Sequence, residues 1–285
     1  MGTESHRAAL PEPTTPAGRD ALRAVREEPE RAVVALDFDG TLAEIVADPT
    51  RARAHPAVLA ALTALAPKVA SVVVVTGRPA AVAVEYGGFG QVPGLEHLVV
   101  LGHYGAERWD AVNRTVQAPP PHPGVAATLA ELPSVIADSG LRDESWIEEK
   151  GRAVAVHTRR ATDPAAAFDA LRAPLDALAA RHELIVEPGR YVLELRPPGM
   201  DKGVALTDHL RRYDARSVLY AGDDLGDLPA FAAVERIRTD GTGRTGLLVC
   251  SGSTEVTELA ARADLVVPGP AGVASLLTAL ASQLP

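Results

Sequence analysis

Cysteine is nearly absent. Cys250 is the single one in 285 residues, so no intrachain disulfide forms and no zinc-type cluster can be drawn from it. A reducing, cytoplasmic setting is the expectation. Basic residues are in deficit, 28 Lys plus Arg against 37 Asp plus Glu for a formal net charge of −9. That balance argues against nucleic acid as the main partner, because duplex binding relies on clustered cations that displace counterions. Long apolar runs are missing as well. Stretches such as Val72 to Val75 fall far short of the ~20 residues needed to cross a bilayer, so no membrane span is expected. Near the N-terminus Pro11, Glu12 and Pro13 interrupt before any hydrophobic region of signal-peptide length. Export is not expected, and the Asn113-Arg114-Thr115 sequon then has nothing to act on. No internal repeat is visible, and 24 Gly and 23 Pro are scattered without period, which excludes collagen-like and coiled-coil architectures. What remains is an ordinary globular composition, long enough for one large domain or two modest ones.

Residues 1–17 are rich in Pro, Thr, Gly and charge, and read as a mobile tail. From Arg31 the text changes to Ala32-Val33-Val34-Ala35-Leu36, an unbroken apolar run suited to a strand covered on both faces in a parallel sheet. A helical pattern at Pro56 to Leu65, a second buried strand at Val72 to Val75, a helix after Pro79 and a third strand at Leu98 to Leu101 continue the alternation. The middle of the chain reads differently. It gives a helix around Val125 to Ala137, strands near Ser145 to Glu149 and Arg152 to Thr158, a helix from Asp163 to Ala180, and strands near Leu184 to Glu187 and Tyr191 to Arg196. Gly151 and Pro188-Gly189-Arg190 sit where hairpin turns belong, so this block predicts an antiparallel sheet with two helices on one face. After Pro197 the alternation resumes, including strand Val218 to Ala221, strand Leu247 to Cys250 and a helix from Glu255 to Ala261. The expected fold class is α/β, a Rossmann-like parallel-sheet core over residues 18–112 and 197–285, split by an inserted α+β domain over 113–196.

The chemistry concentrates at strand ends. Asp37-Phe38-Asp39-Gly40-Thr41 directly follows the first buried strand, and in open α/β sheets ligands bind beyond the carboxyl ends of the strands. Two aspartates at i and i+2 can take different roles, one as nucleophile and metal ligand, the other as acid and base. Gly222-Asp223-Asp224-Leu225-Gly226-Asp227 follows another buried strand. Carboxylates brought together at two strand ends repel unless a cation sits between them, and oxygen-only ligands favour Mg²⁺ over zinc or copper. Asp224 or Asp227 could instead cap the helix starting near Leu228. Thr76, also at a strand end, could hold a phosphoryl oxygen with the adjacent amides, or simply cap a helix. Lys202 at the start of a helix places a cation against the helix dipole, so an anionic group nearby is expected.

Asp37-x-Asp39, Thr76, Lys202 and the Asp223-Asp224 cluster occur in the order of the four motifs of the haloacid dehalogenase superfamily of phosphotransferases, which residues 31–111 and 197–285 resemble. Within it, Leu101-Gly102-His103-Tyr104-Gly105-Ala106-Glu107, Glu148-Glu149-Lys150, His157-Thr158-Arg159 and Leu193-Glu194-Leu195-Arg196-Pro197 look like the trehalose-6-phosphate phosphatase family. The commoner family form has His followed by Gly where this chain has His103-Tyr104-Gly105, Tyr where it has Thr158, and Thr-Asp where it has Gly226-Asp227. The resemblance implies a Mg²⁺-dependent phosphatase in which Asp37 attacks phosphorus, Asp39 acts as acid and base, and Thr76 and Lys202 offset phosphoryl charge. It implies metal ligation by Asp37, Asp39 through its main-chain carbonyl, and Asp223, with Asp224 binding through water or orienting Lys202. The inserted domain becomes a substrate-covering cap, and Gly77, Arg78, His103, Glu149, Lys150, His157, Arg159 and Glu194 become candidate contacts to a sugar phosphate. A phosphatase for another sugar phosphate, or a non-catalytic module sensing one, are the alternatives.

Gly241-Thr242-Gly243-Arg244-Thr245-Gly246 satisfies the dinucleotide fingerprint literally, but a strand follows it where a helix is required, so it reads as a turn. Trp109 and Trp146 read as packing residues.

Overall fold

The apolar pentads that read as two-faced strands lie side by side in a computed structural model that describes residues 10–46, 48–252 and 257–285. The chain forms two compact units, Met1–Ala118 with Asp201–Pro285, and Pro119–Met200.

In the first unit the order is α1 (Pro16–Glu27), β1 (Ala32–Leu36), α2 (Pro56–Leu65), β2 (Ser71–Val75), α3 (Ala80–Gly87), β3 (Leu98–Gly102), β4 (Glu107–Asp110) and β5 (Val116–Gln117) before the second unit intervenes. That unit holds α4 (Pro123–Asp138), β6 (Trp146–Glu149), β7 (Val154–His157), α5 (Pro164–Arg181), β8 (Ile185–Gly189) and β9 (Val192–Arg196). The first unit then resumes with α6 (Lys202–Arg212), β10 (Ser217–Gly222), α7 (Leu228–Thr239), β11 (Thr245–Gly252), α8 (Thr257–Arg262), β12 (Leu265–Pro268) and α9 (Gly269–Gln283).

The large sheet runs β12-β11-β10-β1-β2-β3-β4-β5. It is parallel from β12 to β3, and antiparallel where β4 and β5 extend the edge. Alternate residues of each central strand feed two cores. Val34, Leu36, Val72 and Val74 pack with Val58 and Leu62 of α2 and Leu277 and Leu280 of α9. Val33, Ala35, Val73 and Val75 pack with Leu206 and Leu210 of α6 and Phe231 and Val234 of α7 on the other side. Burying a Val or Leu side chain contributes about 1.5–3 kcal/mol, which holds β1 and β10 in the centre and leaves their carboxyl ends to carry the chemistry.

The small sheet, β6-β7-β9-β8, is antiparallel throughout. Val154, Val156, Leu193 and Leu195 line one face against Leu132 and Ile136 of α4 and Leu171, Leu175 and Leu178 of α5.

Three expectations change. Residues 14–17 belong to the fold and not to a mobile tail, because Thr14 donates through its amide to the Asp264 carbonyl at 2.9 Å, Thr15 caps α1 at Gly18, and Ala21 and Val25 are fully buried. Residues 1–9 lie outside the described residues, as does the expected helix start at Glu255. The inserted unit begins at Pro119 and not at 113, since Val116 and Gln117 pair with Trp109 and Arg108 in the large sheet, and it runs to Met200. The β4–β5 extension itself was not foreseen. Among the described residues no helix is long and apolar enough to cross a membrane.

Candidate active site

Asp37 follows β1 and Asp223 follows β10, adjacent parallel strands joined by a 2.9 Å bond from the Asp37 amide to the Ala221 carbonyl. Both residues are buried, 4% and 3% exposed. Asp37, Asp223 and Asp227 each offer a carboxylate oxygen within 4.8 Å of the others. Gly40 makes room for this: its backbone is left-handed at φ 75°, and a Cβ there would fall 2.0 Å from Asp223 Oδ2.

Lys202, at the first turn of α6, supplies the positive charge. Its Nζ donates to Asp37 Oδ1 at 2.6 Å and to Asp227 Oδ1 at 2.8 Å. Burial works against its charged form, but the attraction of Asp227 and Asp37 prevails and holds its pKa well above the ordinary lysine value. The expected anionic partner of this helix-start lysine is therefore a pair of carboxylates. One lysine does not neutralise the group. Asp37 is raised well above the ordinary carboxylate range by burial, against the pull of Lys202, and Asp223 is raised to about 10 by burial and then by Asp37 and Asp227. Asp223 Oδ1 is buried without a hydrogen-bond partner. An all-oxygen donor set with an unsatisfied buried carboxylate oxygen fits a hard divalent cation.

Asp39 turns the other way. Its side chain is 42% exposed and is held in a two-point fork by Arg78, Nε to Oδ2 at 2.6 Å and Nη2 to Oδ1 at 2.7 Å. The Arg78 guanidinium lies 5.3 Å from the Tyr86 ring centroid and 5.6 Å from that of Phe38. Planar forks of this kind fix both partners. Thr76 directly follows β2, and its Oγ1 accepts from the Arg78 amide at 3.1 Å, so it braces its own turn; α3 starts at Ala80 after Pro79, without a side-chain cap.

In the small sheet, Lys150 Nζ donates to Glu194 Oε2, while Glu194 Oε1 is buried without a partner. His157 Nε2 lies 2.8 Å from Glu148 Oε2, and its ring stacks on Trp146 at 4.2 Å and 5°. Arg159 is exposed and donates to the Arg190 carbonyl at 3.3 Å. Strand register decides which of these share a face: Glu148 pairs with Ala155 and Ala155 with Glu194, whereas Glu149 pairs with the core-facing Val154.

A model of the family described as trehalose-phosphatase matches residues 35–265. The chain belongs to the trehalose-phosphatase family. It is thereby an enzyme of the phosphoric monoester hydrolase class. Trehalose-phosphate phosphatase of Mycobacterium marinum is 32% identical over 294 aligned positions, covering 99% of this chain and 68% of that protein. Among solved structures, trehalose-6-phosphate phosphatase of Aspergillus fumigatus is similar with a TM-score of 0.66 at 25% identity, over 95% of this chain and 99% of the other. The C-terminal domain of the Candida albicans enzyme superposes with a TM-score of 0.73 at 20% identity, over 97% and 99% of the two chains. The haloacid dehalogenase fold expected from the motif order is thus the observed one.

In this trehalose-phosphatase chain several of the expected residues lie in surroundings other than those expected. Asp224, expected among the metal ligands or beside Lys202, is exposed, and its Oδ1 accepts from the Gly226 amide at 2.9 Å in the short turn before α7. Asp227 takes the place beside Lys202. It is fully buried and also accepts from Tyr220 Oη at 2.6 Å and from the Asp223 and Asp224 amides at 2.9 and 3.3 Å. Its oxygens are filled by these donors, which leaves Asp37 and Asp223 as the carboxylates open to a cation. No spacing in the sequence singles Asp227 out, because the short turn from Asp224 to Asp227 decides which carboxylate points inward. Glu149 lies on the helix-facing side of the small sheet, and Glu148 occupies the face expected of it, beside His157. His103 is 2% exposed and faces Glu107 at 3.9 Å, set in the core where a substrate contact was expected. Arg78, expected to meet substrate, is engaged with Asp39.

Proposed function

We propose that this enzyme hydrolyses trehalose 6-phosphate to trehalose and inorganic phosphate through an aspartyl-phosphate intermediate. The observation that carries the reading is the buried grouping of Asp37, Lys202 and Asp223 at the carboxyl ends of β1 and β10, in a chain of the trehalose-phosphatase family. A carboxylate oxygen of Asp37 attacks phosphorus, the bond from phosphorus to the sugar oxygen breaks, and Asp39 gives its proton to that oxygen. In the second step Asp39 takes a proton from water as the water oxygen attacks the same phosphorus, and Asp37 is released as carboxylate. Lys202, kept protonated by its carboxylate partners, and the Thr76 hydroxyl stabilise charge on the transferring group. Arg78 orients the Asp39 carboxyl group. Mg²⁺ suits the site: Asp37, Asp223 and the Asp39 main-chain carbonyl would hold it, and when bound it supplies positive charge toward the phosphoryl oxygens.

Sugar recognition is assigned to the face of the small sheet that turns away from α4 and α5. The unpartnered Glu194 Oε1 is a buried acceptor waiting for a donor such as a sugar hydroxyl, with Lys150 and His157 beside it on the same sheet and Arg159 at its end. The cytoplasmic setting is part of the proposal, and Cys250 is buried with its thiol raised to about 11 by burial, a poorly reactive group. The test is phosphate release from a panel of sugar phosphates, with Mg²⁺ and with a chelator. Preferential release from trehalose 6-phosphate that the chelator abolishes supports the reading. Preference for another sugar phosphate overturns the substrate, and binding without release favours a sensing module.

A further inference from the structure

The loop after β3 holds a strained feature that none of the roles above uses. His103 and Tyr104 have left-handed backbones at φ 46° and 56°, followed by Gly105 at 97°. Non-glycine residues avoid this region because Cβ crowds the carbonyl, and two in succession persist only where surrounding contacts over-determine them. Several of those contacts are to the Thr76–Arg78 turn. The His103 amide donates to the Arg78 carbonyl and the Tyr104 amide to the Thr76 carbonyl, each at 2.9 Å, while the Thr76 amide donates to the Leu101 carbonyl at 3.0 Å. The Tyr104 phenol lies over Gly77: a Cβ on Gly77 would fall 2.7 Å from Oη and 2.8 Å from Cζ. On the far side, a Cβ on Gly105 would fall 2.5 Å from Ala205 Cβ in α6, the helix that carries Lys202. Glu107 closes the loop by accepting from the Ala80 amide at 2.7 Å.

We propose that Tyr104 is a positioning residue: its ring occupies the space left open by Gly77 and fixes the Thr76–Gly77–Arg78 turn, and through Arg78 the fork that holds Asp39. This rests on the reading of that turn as part of the phosphoryl-transfer site. The ring carries this role, because Cζ meets the Gly77 position almost as closely as Oη does.

The full-length enzyme is assayed with trehalose 6-phosphate and, separately, with p-nitrophenyl phosphate, so that a wrong sugar assignment leaves the second readout intact. Tyr104→Phe is expected to keep kcat within about twofold, and Tyr104→Gly to lose about tenfold in kcat with KM little changed, as for misplaced catalytic groups. Glycine tolerates the left-handed backbone, so the thermal midpoint of Tyr104→Gly holds or rises while turnover falls, a split that a purely structural residue would not give. Gly77→Ala is expected to lose activity to a similar degree, and the Gly77→Ala/Tyr104→Gly double variant to be no worse than the poorer single one. Full activity in Tyr104→Gly or Gly77→Ala, losses that multiply in the double variant, or a kcat loss that merely follows a collapsed thermal midpoint would each overturn the assignment.

Discussion

Asp227→Asn is the substitution whose cost the structure lets one work out most closely. Asp227 is fully buried, and its two oxygens accept from Lys202 Nζ, Tyr220 Oη and the amides of Asp223 and Asp224. Asparagine fills the same volume but offers one acceptor oxygen and one amine. Whichever way it turns, the amine meets donors: Lys202 and Tyr220 on one side, backbone amides on the other. Removing one partner of a buried ion pair costs about 3–5 kcal/mol. Leaving a buried donor unsatisfied adds about 1–3 kcal/mol. Lys202 keeps Asp37, and relief of the charge that Asp227 imposes on Asp37 and Asp223 returns part of the loss. The net cost is expected near 3 kcal/mol, roughly a third of the stability of a typical domain. At about 2–4 °C per kcal/mol for a unit of this size, the thermal midpoint falls by ~10 °C. Calorimetry and urea titration of the parent and variant measure it. A loss below about 1 kcal/mol would refute the reasoning, because it would mean that Asp227 is not the acceptor on which these donors depend.

Two further outcomes follow from single side chains. His209 is buried beside Ser71 Oγ at 3.1 Å, Arg108 and Tyr213, and burial, then Arg108 and Arg212, lower its pKa to about 3. It is neutral when folded and charged when unfolded below its ordinary pKa, so its contribution is intact above about pH 6.5 and declines by about 1.4 kcal/mol per pH unit as pH falls toward its folded value. His209→Gln should flatten that acid limb; comparing the two proteins by urea titration at pH 7 and 4.5 should show the parent losing about 2–3 kcal/mol more, and parallel losses would contradict it. Glu194→Gln keeps an acceptor but removes the charge paired with Lys150, and steady-state kinetics on trehalose 6-phosphate should show KM raised about tenfold with kcat changed little; an unchanged KM would remove Glu194 from the sugar site.

The parallel core was legible because β1, β2, β3 and β10 are short, apolar on both faces and, in β1 to β3, Val-rich, as strands of a doubly covered sheet are. The β4–β5 extension was not, since Glu107-Arg108-Trp109-Asp110 carries one core residue among half-buried polar ones, and β5 at the sheet edge is two exposed residues. Helix α1 left a signal that the Pro-rich start obscured: Thr15 before Pro16 is a cap followed by a first-turn proline, and Ala21, Leu22 and Val25 share a face. At the site, strand ends located Asp37, Asp223 and Thr76, and helix start located Lys202. Which of Asp224 and Asp227 turns inward depends on the tight turn between them, a matter of backbone geometry that residue types do not encode. The side of the sheet taken by Glu148 and Glu149 was open to period-two reasoning from Val154 and Val156, whereas the Arg78–Asp39 fork joins loops after different strands and needs the folded chain to be seen.

The central claim is that Asp37 carries the phosphoryl group, and acid quench of the enzyme turning over trehalose 6-phosphate labelled in its phosphate tests it most directly. Peptide mapping should find the label on the carboxylate of Asp37, with no label and no turnover in Asp37→Asn. Label on any other residue, or phosphate release by Asp37→Asn at the parent rate, would contradict the account.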